Sequence, residues 1–174
     1  MSEVASEPQV HQIIARFGMQ THPECQGYFV EQYRASTEPG VVRSSDDKHL
    51  SAISSILFLH LARLHTQPNW RRLKSDELLV WLRGAPMQVR SINPSSGEMD
   101  SITLGDPLND ATFHYQHALP PGTPFDTRVM GDNNAYTLTA CVVAPGWMPE
   151  DFQNLSPEAL AKEYPKLANQ ISQV

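Results

Sequence analysis

Long apolar runs are missing from this chain of 174 residues. No stretch approaches the roughly 20 residues that cross a bilayer, so no membrane is expected as a partner. Cysteine is scarce as well. Cys25 and Cys141 stand alone, too few for a disulfide framework, although they have each other to bond to. The N-terminal residues 1–8 are acidic and polar, without the apolar stretch of a secretory signal. A cytoplasmic setting with reduced thiols is the expectation. Positive charge is in the minority: 13 Lys and Arg against 19 Asp and Glu, for a formal net charge of −6. Phosphate recognition relies on clustered Lys and Arg, so nucleic acid is not expected as a partner. Arg71, Arg72 and Lys74 form the one basic run, which we read as a solvated strand end.

What the chain does have is an ordinary globular balance, 40% hydrophobic and 18% charged, in a length that suits one domain. We read residues 1–7 as a floppy tail and 8–174 as the domain. Val10, Ile13, Ile14 and Phe17 recur at helical spacing and Gly18 follows at the C-cap position, which predicts a short helix over 8–17. A turn rich in His, Pro and Gly covers 21–27. Strands are predicted over 28–34, 78–83, 87–92, 101–104, 113–119, 125–130 and 136–143, with polar turns at 45–48, 93–97 and 131–134. The apolar stretch 50–64 passes for helix or strand; we read a strand. Short strands at this spacing predict a sandwich or barrel. Near the end, Ser156-Pro157-Glu158 is an N-cap, a Pro at the first helical position and an acid in the first turn. A helix should follow over 159–164, with Pro165 interrupting and a further turn over 167–171.

Four segments carry a resemblance. They are His22-Pro23-Glu24-Cys25-Gln26-Gly27-Tyr28-Phe29 running on to Glu31-Gln32-Tyr33-Arg34; Arg72-Leu73-Lys74-Ser75-Asp76-Glu77; Gln116 followed by Leu119-Pro120-Pro121-Gly122-Thr123; and Cys141-Val142-Val143-Ala144-Pro145-Gly146-Trp147 with Glu150-Asp151-Phe152. In this order, over about residues 10–165, they resemble the small single-domain cupins of unassigned function, in the superfamily that also holds sugar-nucleotide epimerases and many dioxygenases. The resemblance implies an all-β double-stranded β-helix, or jelly roll, carrying the short N-terminal helix and a C-terminal helix. It also implies a pocket in the barrel mouth and a homodimer. It implies no particular activity.

Glu77, six residues and then Gly84 matches the second half of the first cupin motif. Counted back from Glu77, the two positions that hold histidine ligands in metal-binding cupins fall on Trp70 and Arg72. After Pro120-Pro121-Gly122 the second motif has no histidine, only Thr123, Pro124 and Phe125. Trp and Phe do not ligate, and Arg stays protonated with no lone pair to give. One carboxylate does not hold a transition metal against water, so no metal and no other cofactor is expected. The resembled pattern also has a His just before the Arg of its second segment, where this chain has Arg71.

The remaining candidates form an aromatic pocket with a few charges. Alternation puts Glu77, Leu79 and Trp81 on one strand face and Glu31 with Tyr33 on another. Glu77 is the candidate base and Tyr33 the candidate acid. Arg72 either pairs with Glu77 or binds an anionic group. Trp70, Trp81 and Phe125 are core or ligand platform, and Glu31 and Gln116 complete the candidate binding set. His114 and His117, three apart on one predicted strand, point to opposite faces. His60 and His114 are the histidines that would have to converge on Glu77 to make a metal site. Two functions from different classes remain: a metal-free binding protein for a small polar or anionic metabolite, and a metal-free isomerase or epimerase of sugar type. A metal-dependent oxygenase is a third, conditional on those histidines.

Overall fold

A computed structural model describes residues 7–43 and 47–173. Most of the expected tail, and residues 45–46 of the expected turn at 45–48, lie outside the described residues. Helix α1 (Glu7–Phe17) ends where Gly18 turns left-handed at φ +63°. The Met19 N–H donates to the Ile14 carbonyl at 3.0 Å, the closing bond of a Schellman cap. Val10, Ile13 and Ile14 then face one side of the sheet that follows.

Fourteen strands come next: β1 (Gln20–Thr21), β2 (Tyr28–Arg34), β3 (Val41–Arg43), β4 (Lys48–Leu50), β5 (Ser54–Leu61), β6 (Trp70–Leu73), β7 (Asp76–Gly84), β8 (Met87–Ile92), β9 (Met99–Leu104), β10 (Phe113–His114), β11 (Gln116–Leu119), β12 (Phe125–Val129), β13 (Tyr136–Ala144) and β14 (Phe152–Leu155). One sheet has the order β1-β2-β5-β13-β7-β11 and the other β10-β9-β8-β12-β6-β14, with β3-β4 a separate hairpin. Pairings are antiparallel except β9 with β10. The two large sheets pack face to face as a jelly roll, with Phe58, Leu79, Cys141 and Val143 from one meeting Leu73, Val89, Leu104 and Phe125 from the other.

Each outer face is covered. On one, α1 packs on Leu59, Leu61, Tyr136 and Leu138. On the other, α2 (Pro157–Glu163) and α3 (Ala168–Ile171) set Leu160 and Ile171 against Trp70 and Ile92. The Ser156 hydroxyl caps α2, accepting the Ala159 N–H at 3.1 Å. β13 is buried on both faces over its first four residues, while Ala140, Val142 and Ala144 on its outer face are half-buried.

Several boundaries differ from the sequence reading. The stretch 50–64 is not one strand. Leu50 ends β4, β5 takes 54–61, and Ala62–Leu64 winds into a 3-10 turn. The expected strand 113–119 breaks at Tyr115, and its halves join different sheets, β10 on β9 and β11 on β7. His114 and His117 are therefore not neighbours on one strand. β6 and β14, four residues each, are too short to show a period.

Candidate functional site

The inner face between the sheets opens into a cavity of about 120 Å³. Strand registers decide who lines it. On β7 Glu77 and Leu79 point inward, and opposite them on β13 stand Val143 and Cys141. Next comes β5, with Ser54, Ile56, Phe58 and His60. Then β2 contributes Phe29 and Glu31. From the facing sheet β6 brings Arg71 and Leu73, with Phe152 of β14 paired to Leu73. The turn before β2 adds His22 and Cys25, and the loop before β14 adds Trp147.

The charged groups differ sharply in how they are paired. At the mouth Arg34 grips Glu31 through both carboxylate oxygens, at 2.7–3.3 Å, and donates to the Trp147 carbonyl. Deeper, Arg71 is only 7% exposed. Its guanidinium lies 4.3 Å over the Phe125 ring and donates to two neutral acceptors, the Asn69 carbonyl and the Thr127 hydroxyl. Among the described residues it forms no ion pair. Glu77, 8% exposed, has Oε2 buried without a hydrogen-bond partner. Burial raises its pKa above 4.5, a shift opposed by the Arg71 charge and by the Cys141 thiol bonded to the carboxylate. Burial also pushes the Cys25 thiol up to about 11 and the Cys141 thiol higher still, so both are poor nucleophiles.

The histidines of the cavity are neutral. Burial, with Arg71 nearby, lowers His22 to about 4. His60 is held well below its ordinary value by burial, then by His65 and Arg71. Its Nε2 meets the Thr139 hydroxyl at 3.1 Å, and its ring packs on Phe58 at 4.5 Å.

The sequence-derived candidates separate on this geometry. Glu77 and Glu31 line the cavity. Tyr33 does not: a β-bulge between Glu31 and Tyr33 adds a residue, reverses the alternation, and sends Arg34 inward while Tyr33 stands 58% exposed. Glu77 and Tyr33 are thus not brought together as base and acid. Arg72 faces outward from β6, bonded to Gln153 and Glu163, so it does not pair with Glu77. Trp70, on the same outer face, is core, its indole N–H donating to the Ile171 carbonyl at 3.0 Å. Phe125 is core beneath Arg71. Trp81 points inward beyond the cavity and donates to the Ala85 carbonyl. Gln116 is exposed on edge strand β11. His60 reaches the cavity; His114 lies on the other sheet's edge.

Leaving three residues rather than four between the second position and Glu77 puts the pair on Arg71 and Leu73, the inward residues of β6. The motif allows either spacing, and the register chose the shorter. Arg71 thereby occupies the place where the resembled pattern has its histidine. His22 opens the first of the four resembling segments, and nothing in the residues around it signals a role.

The donor set does not suit the metal that many cupins carry. The two inward positions before Glu77 hold a guanidinium and an isobutyl group. Among the described residues no group of three or more His, Cys, Asp or Glu side chains is placed to hold a metal ion.

The family pattern described as Cupin superfamily (DUF985) matches residues 11–155. The chain belongs to this cupin family. A protein from Shewanella oneidensis shares the arrangement at 27% identity and a TM-score of 0.73, covering 93% of this chain and 96% of its own. A hypothetical protein from Leishmania major does so at 23% identity and 0.79, covering 94% and 98%. A dTDP sugar isomerase from Desulfovibrio desulfuricans aligns at 18% and 0.51, covering 80% and 88%; the likeness of these last two shows the cupin fold alone. No curated protein matches. No helix among the described residues of this cupin is long and apolar enough to cross a membrane.

Proposed function

We propose that this cupin binds a small organic anion in a metal-free cavity, with Arg71 as the anchoring charge. The observation that carries the reading is a buried cation, lining a cavity, with neutral partners only. A protein bears the desolvation of an unpaired guanidinium poorly, and an anionic guest supplies the missing partner through charge-assisted, forked hydrogen bonds. The apolar walls around it, Phe29, Ile56, Phe58 and Val143, suit the carbon part of such a guest.

The isomerase reading draws on Glu77, whose buried carboxyl has a free oxygen. It requires an acid other than Tyr33, and the sugar-isomerase likeness supports it by fold analogy only. The proposal also takes the protein as a homodimer in the cytoplasm. The family resemblance supports the first, and the two free thiols are in keeping with the second; light scattering reads the assembly.

Calorimetry with a panel of small carboxylates tests the binding reading. Saturable binding that disappears in Arg71→Met but persists in Arg72→Met is expected. A flat panel, or binding that Arg72→Met removes instead, overturns it.

A further inference from the structure

His22 is the polar group of the cavity with the most sharply defined chemistry. Its Nδ1 accepts two backbone N–H groups, from Cys25 at 2.9 Å and Glu24 at 3.1 Å. Both are donors, so Nδ1 holds the lone pair and the proton resides on Nε2. Nε2 makes no hydrogen bond among the described residues. The ring is fixed by Phe29 at 4.8 Å, Phe58 at 5.6 Å and Phe152 at 6.3 Å. The turn beneath it is closed by the His22 N–H to the Gly27 carbonyl at 3.0 Å. This preformed, neutral N–H donor belongs to a side chain that lines the same cavity as Arg71.

Three features narrow the guest. The mouth pair Arg34–Glu31 is internally neutralised, which leaves Arg71, among the described residues, as the lining cation outside an ion pair and Glu77, whose carboxyl burial favours in its neutral form, as the lining acid; together they admit no more than a monoanion. The volume, about 120 Å³, is somewhat below the roughly 150 Å³ that holds benzene in an engineered cavity. It encloses a guest of slightly less than benzene's size, and its open mouth leaves room for the end of a longer one. Finally, Arg71 and His22 are both donor-only toward the cavity. One satisfies a carboxylate, and the other calls for a second accepting oxygen; Glu77, whose carboxyl burial favours in its protonated form, adds a further donor.

We propose that the guest is a small 2-oxo acid, its carboxylate on Arg71 and its keto oxygen on the His22 Nε2–H, which makes His22 the specificity-determining residue. This rests on the anion-binding reading above and deepens it.

Calorimetry on the full chain with butyrate, 2-oxobutyrate, 2-hydroxybutyrate and inorganic phosphate tests the proposal. 2-Oxobutyrate should bind about tenfold tighter than butyrate, the usual worth of one hydrogen bond to a buried group. His22→Phe keeps a ring in place and should reduce that ratio to within about twofold. Nitrogen-15 NMR of the unaltered protein needs no variant: adding 2-oxobutyrate should shift the His22 Nε2 resonance, and butyrate should not. Equal affinities for the two acids, a ratio that survives His22→Phe, or an unmoved Nε2 resonance overturns the 2-oxo acid. So does tighter binding of 2-hydroxybutyrate or phosphate. Carboxylate binding that lacks the preference but still vanishes in Arg71→Met leaves the anion site standing and removes only this deepening. Absence of any carboxylate binding overturns both.

Discussion

Two buried arginines in this fold should respond very differently to the same substitution. Arg43 on β3 reaches Asp151 through two hydrogen bonds, at 2.6 and 2.9 Å, and the paired side chains are 6% and 1% exposed. Arg43→Met strands the Asp151 carboxylate in the interior. The Lys74 ammonium, 4.0 Å away and exposed, is a weak substitute. Breaking such a pair costs about 3–5 kcal/mol. At roughly 2–4 °C of Tm per kcal/mol for a chain of this size, the loss is roughly 6–20 °C. Arg71→Met strands no carboxylate. It forfeits two hydrogen bonds to neutral acceptors, about 1 kcal/mol or somewhat more each, and a cation–π contact of up to about 2 kcal/mol. Against this stands relief from burying an unpaired charge, several kcal/mol. The contributions nearly cancel, so Arg71→Met should stay within about 2 kcal/mol of the parent. Thermal melts followed by circular dichroism compare the two. A carboxylate at about 100 times its Kd adds about 2.7 kcal/mol, or roughly 5–11 °C. Arg43→Met should keep that added stability and Arg71→Met should lose it. If Arg71→Met melts as low as Arg43→Met, or still responds to ligand, Arg71 is a structural residue and the anion reading fails.

Glu77→Gln should raise stability increasingly as pH rises from the ordinary carboxylate value toward the raised native one. The native carboxyl has a pKa raised above 4.5, so the folded state holds more protons than the unfolded chain across that gap. Its contribution is present at low pH and is lost as pH rises through the native value, at up to about 1.4 kcal/mol per unit; a pH-independent difference between the two proteins in urea melts would refute this. Gly84→Ala should cost at least about 2 kcal/mol, because φ is +101° and the added Cβ falls on the Tyr136 carbonyl oxygen. Gly122→Ala, at φ +77° with open space around it, should cost only about 1 kcal/mol, and equal losses in urea titrations would show that the Tyr136 contact does not matter.

The sequence by itself determined the cupin fold, most of the strands, both helical ends and the inward Glu77. Those follow from local signals: the period along 28–34 and 136–143, the Gly18 and Ser156 caps, and a Glu at a set distance from Gly84. It did not determine which parity of residues faces the cavity. Alternation relates neighbours within an unbroken strand only, and the bulge after Glu31 exchanges Arg34 for Tyr33. On four-residue β6, the choice between Arg71 and Arg72 comes from pairing with β12 and β14, about 50 and 80 residues later in the chain. The tautomer of His22 likewise depends on how the turn to Gly27 folds its backbone N–H groups back onto the ring. Parity and proton position are set by long-range pairing and local backbone geometry, and neither is carried by residue type.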